Sequence, residues 1–179
     1  MKRWLTAFKL IGFPVLVFGG GLLLLNQLGR STTLAIGEKP LYVRSGYNAE
    51  DAREYWSALD QAGALSTEAR LLKVDLFFPI FYGGALLAGI LAAWRAMGRP
   101  RFWNLAAVPV WLAVLADWME NSSLLYLLRS FMKGADLAQH AGLVQFASTA
   151  TRLKFLFIGV SWAALIFIVG KFIREGKRA

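Results

Sequence analysis

The chain has 179 residues, of which 57% are hydrophobic and 17% charged, with a mean hydropathy of +0.49 and a formal net charge of +9. Soluble domains carry about a quarter charged residues, so an ordinary water-exposed globule is excluded. The absence of cysteine excludes disulfides, thiolate metal sites and cysteine nucleophiles.

Four apolar stretches account for the hydropathy. The first covers residues 4–28 and is densest at GFPVLVFGGGLLLL. Its MKR start and Thr33-Leu34-Ala35 would suit a cleaved signal peptide, but the apolar run is long for one, so it is read as a retained span. Residues 29–73 follow as an outer segment. Leu41–Arg44 reads as a short extended stretch. NAEDAREYWSALDQAG reads as a helix over about 49–62, with Asn48 as N-cap, Glu50 and Asp51 in the first turn, and Gly63 ending it. Ala52, Tyr55, Trp56 and Leu59 share one face of that helix. Ser66 reads as the cap of a further turn.

The second span covers 74–94, and the basic turn RAMGRPR joins it to a third at 102–128. A turn this short makes them antiparallel neighbours. About twenty residues, partly helical, lead to the fourth span at 152–172. Each stretch is about 20 residues or longer, enough for a helix to cross about 30 Å of hydrocarbon, and only helices or closed barrels satisfy their backbone there. Pro14, Pro79 and Pro109 each remove a donor and are expected to kink their helices. Gly84, Ala88 and Ala92 form one small-residue stripe, Ala85, Gly89 and Ala93 another, and Gly19-Gly20-Gly21 a third site of close approach. The expected fold is all-α: a single-domain four-helix transmembrane bundle with a small extracytoplasmic helical cap.

Charge sets the expected orientation. Lys2, Arg3, Lys9, Arg95, Arg99, Arg101, Lys171, Arg174, Lys177 and Arg178, with Glu175, fall on one side and carry the entire net charge of +9. Lys and Arg in short loops favour the cytoplasm, so both termini are expected there, in a bacterial inner membrane. These residues sit at membrane boundaries and attract anionic lipid; no nucleic-acid partner is expected. Trp4, Trp94, Trp103 and Tyr126 suit the interfaces.

The third span raises a chemical question. LADWMENSSLL sets Asp117, Glu120 and Asn121 on one side of an apolar helix, at spacings of three and four. A charge at mid-span costs about 2.5–3.5 kcal/mol, so partners are required. Asp75, at the outer end of the second span, shares a face with Pro79 and Tyr82. On the fourth span Thr151, Lys154, Ile158 and Ser161 share a stripe, which turns Lys154 inward while Arg152 reaches the outer interface. The expected polar cluster is Asp75, Asp117, Glu120, Asn121 and Lys154, with Tyr82 and Ser161 beside it. His140, the single histidine, reads as a loop residue. No phosphate loop, zinc motif or nucleophile motif occurs, so no metal and no cofactor are expected.

SGYNAEDAREYWSAL, LLKVDLFFPIFYGGAL, LADWMENSSLLYLL and TRLKFLF together resemble a group of bacterial four-span membrane proteins of unassigned activity. These share a Gly-Tyr-led surface helix, an aspartate before Phe-Pro, D-x-x-E-N in the third span and a lysine opening the fourth. The resemblance covers about two thirds of the chain, from Gly46 onward. GALSTEAR departs from the Gly-Arg-x-x-Tyr that such proteins often carry before the second span, so no role carries over to that turn. The resemblance implies that Asp75, Asp117, Glu120, Asn121 and Lys154 act as a set, and it supplies no substrate.

Two functions follow as expectations. One is non-enzymatic: the protein binds a lipid-like molecule, or supports a membrane assembly with a membrane-protein partner, through the polar cluster. The alternative is a membrane enzyme acting on a lipid or isoprenoid-like substrate by acid/base chemistry at Asp117 or Glu120. A cavity reaching both acids would favour the enzyme. Direct burial of the acids against Lys154 would favour the first.

Overall fold

The computed structural model describes residues 2–97 and 103–175. They form six helices and no strand: α1 (Lys2–Ile36), α2 (Ala49–Gln61), α3 (Leu65–Asp75), α4 (Phe78–Ala96), α5 (Trp103–Met132) and α6 (Ala141–Glu175). Single 3₁₀ turns sit at Leu41–Val43 and Leu137–His140. The turn between α4 and α5, and with it Arg99 and Arg101, lies outside the described residues, as do Lys177 and Arg178.

Among the described residues three stretches are long and apolar enough to cross a membrane: Lys9–Gln27, Leu65–Arg95 and Leu137–Arg174. α5 has 30 residues but is not among them. It carries Asp117, Glu120 and Asn121 inside its apolar run, and these lower its hydropathy. Two helices are longer than the sequence suggested, α1 continuing past residue 28 to Ile36 and α6 beginning at Ala141 instead of near 152.

The second apolar stretch is two helices, and the cause is Pro79. It has no N–H to give the Asp75 carbonyl four residues back. The ladder stops, and the chain passes Leu76 and Phe77 with 3₁₀-type bonds, Phe77 N to Val74 O at 3.0 Å and Ile80 N to Phe77 O at 3.1 Å. α5 meets the freed carbonyls: Trp118 Nε1 donates to Leu76 O at 2.9 Å and Asn121 Nδ2 reaches Asp75 O at 3.5 Å. The expected kink is therefore a break in the α-helical hydrogen-bond ladder, with Leu76 and Phe77 still right-handed, and it is capped from a neighbouring helix.

α1 runs antiparallel to α3 and α4. A side chain at Gly29 would touch Leu71, one at Gly21 would overlap the Phe78 ring, and one at Gly89 would lie 3.0 Å from the Leu10 carbonyl oxygen. Of the glycine triplet, only Gly21 marks a close approach; Gly19 and Gly20 face open space. Ala85, Gly89 and Ala93 form the buried stripe of α4, while Gly84, Ala88 and Ala92 lie exposed.

Two apolar cores result. The outer one gathers Tyr55, Trp56 and Leu59 of α2, Leu72 of α3, Leu124, Leu125, Leu127 and Leu128 of α5 and Val144 and Ala147 of α6. The inner one gathers Leu10, Leu86, Ile90, Val110, Val114 and Leu165 from α1, α4, α5 and α6. The outer core needs α2, whose start is fixed by a capping box: Asn48 Oδ1 accepts from Asp51 N at 3.0 Å, and Asp51 Oδ2 accepts from Asn48 N at 2.8 Å. Gly63 at φ +67° closes this helix, as its sequence implied. Two local readings are corrected. Leu41–Val43 is a 3₁₀ turn following Pro40, not an extended stretch. α3 starts at Leu65 with Ala64 at its cap, so Ser66 lies inside the first turn and caps nothing.

Candidate functional site: a polar layer between two cores

The acids of α5 sit at the seam between the two cores. Asp117 is 2% exposed, Glu120 and Asn121 are 0%, and Lys154 is 6%. Lys154 Nζ lies 2.5 Å from Glu120 Oε2 and 3.3 Å from Asp117 Oδ1. Its third oxygen neighbour is the Tyr42 carbonyl at 3.5 Å. Of these, Asp117 Oδ1 and the Tyr42 carbonyl accept hydrogen bonds from the ammonium, and Glu120 is held to it as an ion pair.

The carboxylates are held from the other side as well. Tyr82 of α4 donates to Asp117 Oδ2 at 3.1 Å, and Asn121 Nδ2 donates to Asp117 Oδ1 at 3.0 Å. Thr151 of α6 donates to Glu120 Oε1 at 2.7 Å. Of the residues proposed from sequence, Tyr82, Asp117, Glu120, Asn121 and Lys154 therefore share one network. Asp75 is buried at the end of α3 and joins it through its backbone carbonyl. Ser161 is buried, but its hydroxyl bonds the Phe157 carbonyl of its own helix at 2.6 Å, so it does not take part in the network.

Sequence reasoning missed how far the layer extends into the outer segment. Tyr47 N donates to Ser148 Oγ at 3.0 Å, and the Tyr47 hydroxyl lies 3.4 Å from Thr151 Oγ1. Arg152 Nε donates to the Ser45 carbonyl at 2.8 Å. A side chain at Gly46 would have to displace the Arg152 guanidinium. Residues 42–47 are thus fastened to one face of α6 between Ser148 and Lys154. The Gly-Tyr pair ahead of Asn48 was the available signal.

A second buried polar group lies under α2. Glu68 is 1% exposed among Tyr42 and Tyr55, and the Arg44 guanidinium stands 5.2 Å from the centre of the Tyr55 ring. Burial pushes the hydroxyls of Tyr42, Tyr47 and Tyr55 well above the usual phenol range, so they stay protonated. At the surface, the Arg53 guanidinium holds the Glu50 carboxyl below its ordinary value. His140 packs edge-on against Tyr126 with centroids 6.0 Å apart. Among the described residues no group of metal-ligating side chains forms.

Two cavities lie elsewhere. One of about 610 Å³ opens between the end of α2 and the end of α5, beside Asp60, Gly63, Leu65 and Phe131. The other, of about 360 Å³, is an apolar groove between α1 and the α3–α4 interruption. Neither is lined by Asp117, Glu120 or Lys154. No protein-family model, curated protein or solved structure matches the chain.

Proposed function

We propose that this is an integral membrane protein of four spans, α1, α3–α4, α5 and α6, with the 29–73 segment as an outer cap and both termini cytoplasmic. Its role is non-enzymatic: it binds a lipid-like molecule or supports a membrane assembly, and the polar layer fixes the bundle and its cap. Large apolar side chains on the outward faces support the membrane setting, with Leu16 75%, Leu105 72% and Phe167 72% exposed. In the bundle the two acids of α5 face partners instead of lipid, which makes a span of moderate hydropathy tolerable.

The observation that carries the non-enzymatic reading is the closure of Lys154 against Asp117, Glu120 and the Tyr42 carbonyl. Acid/base catalysis needs a carboxyl within hydrogen-bond reach of a substrate proton. Here both carboxylates are buried and spent on α4 and α6. The cap reading rests on the Tyr47, Ser45 and Tyr42 contacts to α6.

The test is native mass spectrometry on protein extracted gently from its own membrane, alongside Asp117→Asn and Glu120→Gln. The expected result is a lipid or protein adduct that both variants retain, with lowered thermal stability. A small molecule bound to the wild type and lost from a variant of unchanged stability would replace this reading with that of a membrane enzyme using these acids.

A further inference from the structure

We propose that the groove between α1 and the α3–α4 interruption holds an anionic membrane phospholipid, with one acyl chain in the groove and the phosphate met by Arg70 and Lys73. The inference rests on the membrane reading above and gives its lipid a place and a chemistry. The groove, about 360 Å³, is walled by Gly20, Gly21 and Leu24 of α1, Val74 of α3, and Phe77 and Phe78 at the interruption. That volume is at the low end for small-molecule sites, and the walls offer an occupant only apolar surface. The interruption helps to make the space, because α4 restarts at Phe78, whose ring packs on Gly21, beside a helix that leaves open space at Gly20.

The charge lies one turn away. Leu76 and Phe77 keep right-handed helical dihedrals, so the face of α3 continues through them. Arg70 therefore precedes Val74 by one turn on the same face, and Lys73 precedes Phe77 likewise. Helix side chains lean toward their own N-terminus, which carries both cations away from the apolar walls toward the Leu65 end of α3. In the orientation proposed above that end is the outer membrane surface, where a phosphate sits. Both residues are exposed, and neither has an ion-pair partner among the described residues. The acids of the same helix, Glu68 and Asp75, are buried on its other side at 1% and 5% exposure. The exposed face of α3 thus offers uncompensated positive charge directly above an apolar slot. A second copy of this chain across a two-fold axis would set these cations against themselves, which opposes a homodimer here.

The experiment titrates the delipidated full chain with phosphatidylglycerol and with phosphatidylcholine of identical acyl chains, read by native mass spectrometry. A surface cation contributes roughly fivefold in affinity for an anionic lipid. The wild type is therefore expected to prefer phosphatidylglycerol by roughly twentyfold or more for the pair. Arg70→Gln with Lys73→Gln should reduce that preference to about twofold or less while leaving phosphatidylcholine binding intact. Gly20→Leu fills open space, since a side chain there meets nothing within 4 Å, and should abolish the tight adduct of both lipids without lowering thermal stability. Equal binding of the two lipids by the wild type would overturn the proposal, as would a Gly20→Leu protein that keeps its phosphatidylglycerol. A dimer mass in place of a lipid adduct would overturn it too, in favour of a second copy. Extraction of the wild type from membranes by alkaline carbonate tests the membrane reading separately: a released chain sinks that reading, whereas a retained chain with no lipid preference sinks only the groove.

Discussion

Lys154→Met isolates what the ammonium does. Methionine keeps the unbranched chain, one atom shorter, and removes the charge, leaving Glu120 and Asp117 buried with no cation within reach, where the lysine had lain 2.5 and 3.3 Å away. Breaking a buried pair by removing one partner costs about 3–5 kcal/mol, chiefly as desolvation of the charge left behind. For a chain of this size each kcal/mol moves the midpoint by about 2–4 °C, so the loss should be roughly 6–20 °C. The assay is thermal unfolding in lipid nanodiscs, followed by circular dichroism. The companion variant Lys154→Met/Asp117→Leu/Glu120→Met removes all three charges and should recover most of the loss, because a well-packed apolar replacement of a buried pair is often neutral. A midpoint within about 2 °C of wild type for Lys154→Met would refute the electrostatic account. A triple variant no better than the single one would show instead that packing volume dominates.

Three further outcomes are expected. Burial raises Tyr42, Tyr47 and Tyr55 above the ordinary phenol value of 10.0, so the folded protein keeps protons that the unfolded chain sheds; their contribution to stability is complete below pH 10 and is lost as pH rises beyond it, which an alkaline absorbance titration with parallel unfolding should show. Trp118→Phe removes the donor to the Leu76 carbonyl and should cost about 1–3 kcal/mol, with amides near Phe77 exchanging faster; unchanged exchange would mean that the interruption needs no external cap. Arg152→Gln frees the Ser45 carbonyl at an exposed site, so the loss should be about 1 kcal/mol or less, with faster proteolysis at residues 38–47 as the sharper readout.

What the sequence disclosed was what periodicity and side-chain chemistry encode. The buried face of α2 and its Asn48 cap follow from local spacing and hydrogen-bonding capacity, and the structure has both. Asp117, Glu120 and Asn121 were placed together by helical spacing, and Lys154 was turned toward them by the stripe it shares with Thr151. The length of α6 was only partly legible: the residues ahead of 152 read as partly helical, but no local pattern joined them to the fourth span as one helix from Ala141. Ser161 shares the stripe, yet it lies two turns past Lys154 and spends its proton on its own backbone. The attachment of residues 42–47 to α6 joins positions more than a hundred apart in sequence, which no local pattern encodes.

The location of the polar layer has its own logic. Apolar helix faces in a bilayer gain little by choosing one partner over another, because lipid tails are as apolar as leucine. The inner core of Leu86, Ile90, Val110 and Leu165 is aliphatic and supplies no directional contact to fix α5 against α6. A one-turn slide moves a helix about 5.4 Å, which would strand Glu120 away from both Thr151 and Lys154. The layer therefore fixes a register that the apolar surfaces leave open. The same side chains also supply what the chain lacks next to it. Asn121 serves both Asp117 and the carbonyl that Pro79 leaves without a donor, and Lys154 serves both acids and the Tyr42 carbonyl. Register, helix interruption and outer cap are thus coupled through a few residues, and a change to one reaches all three.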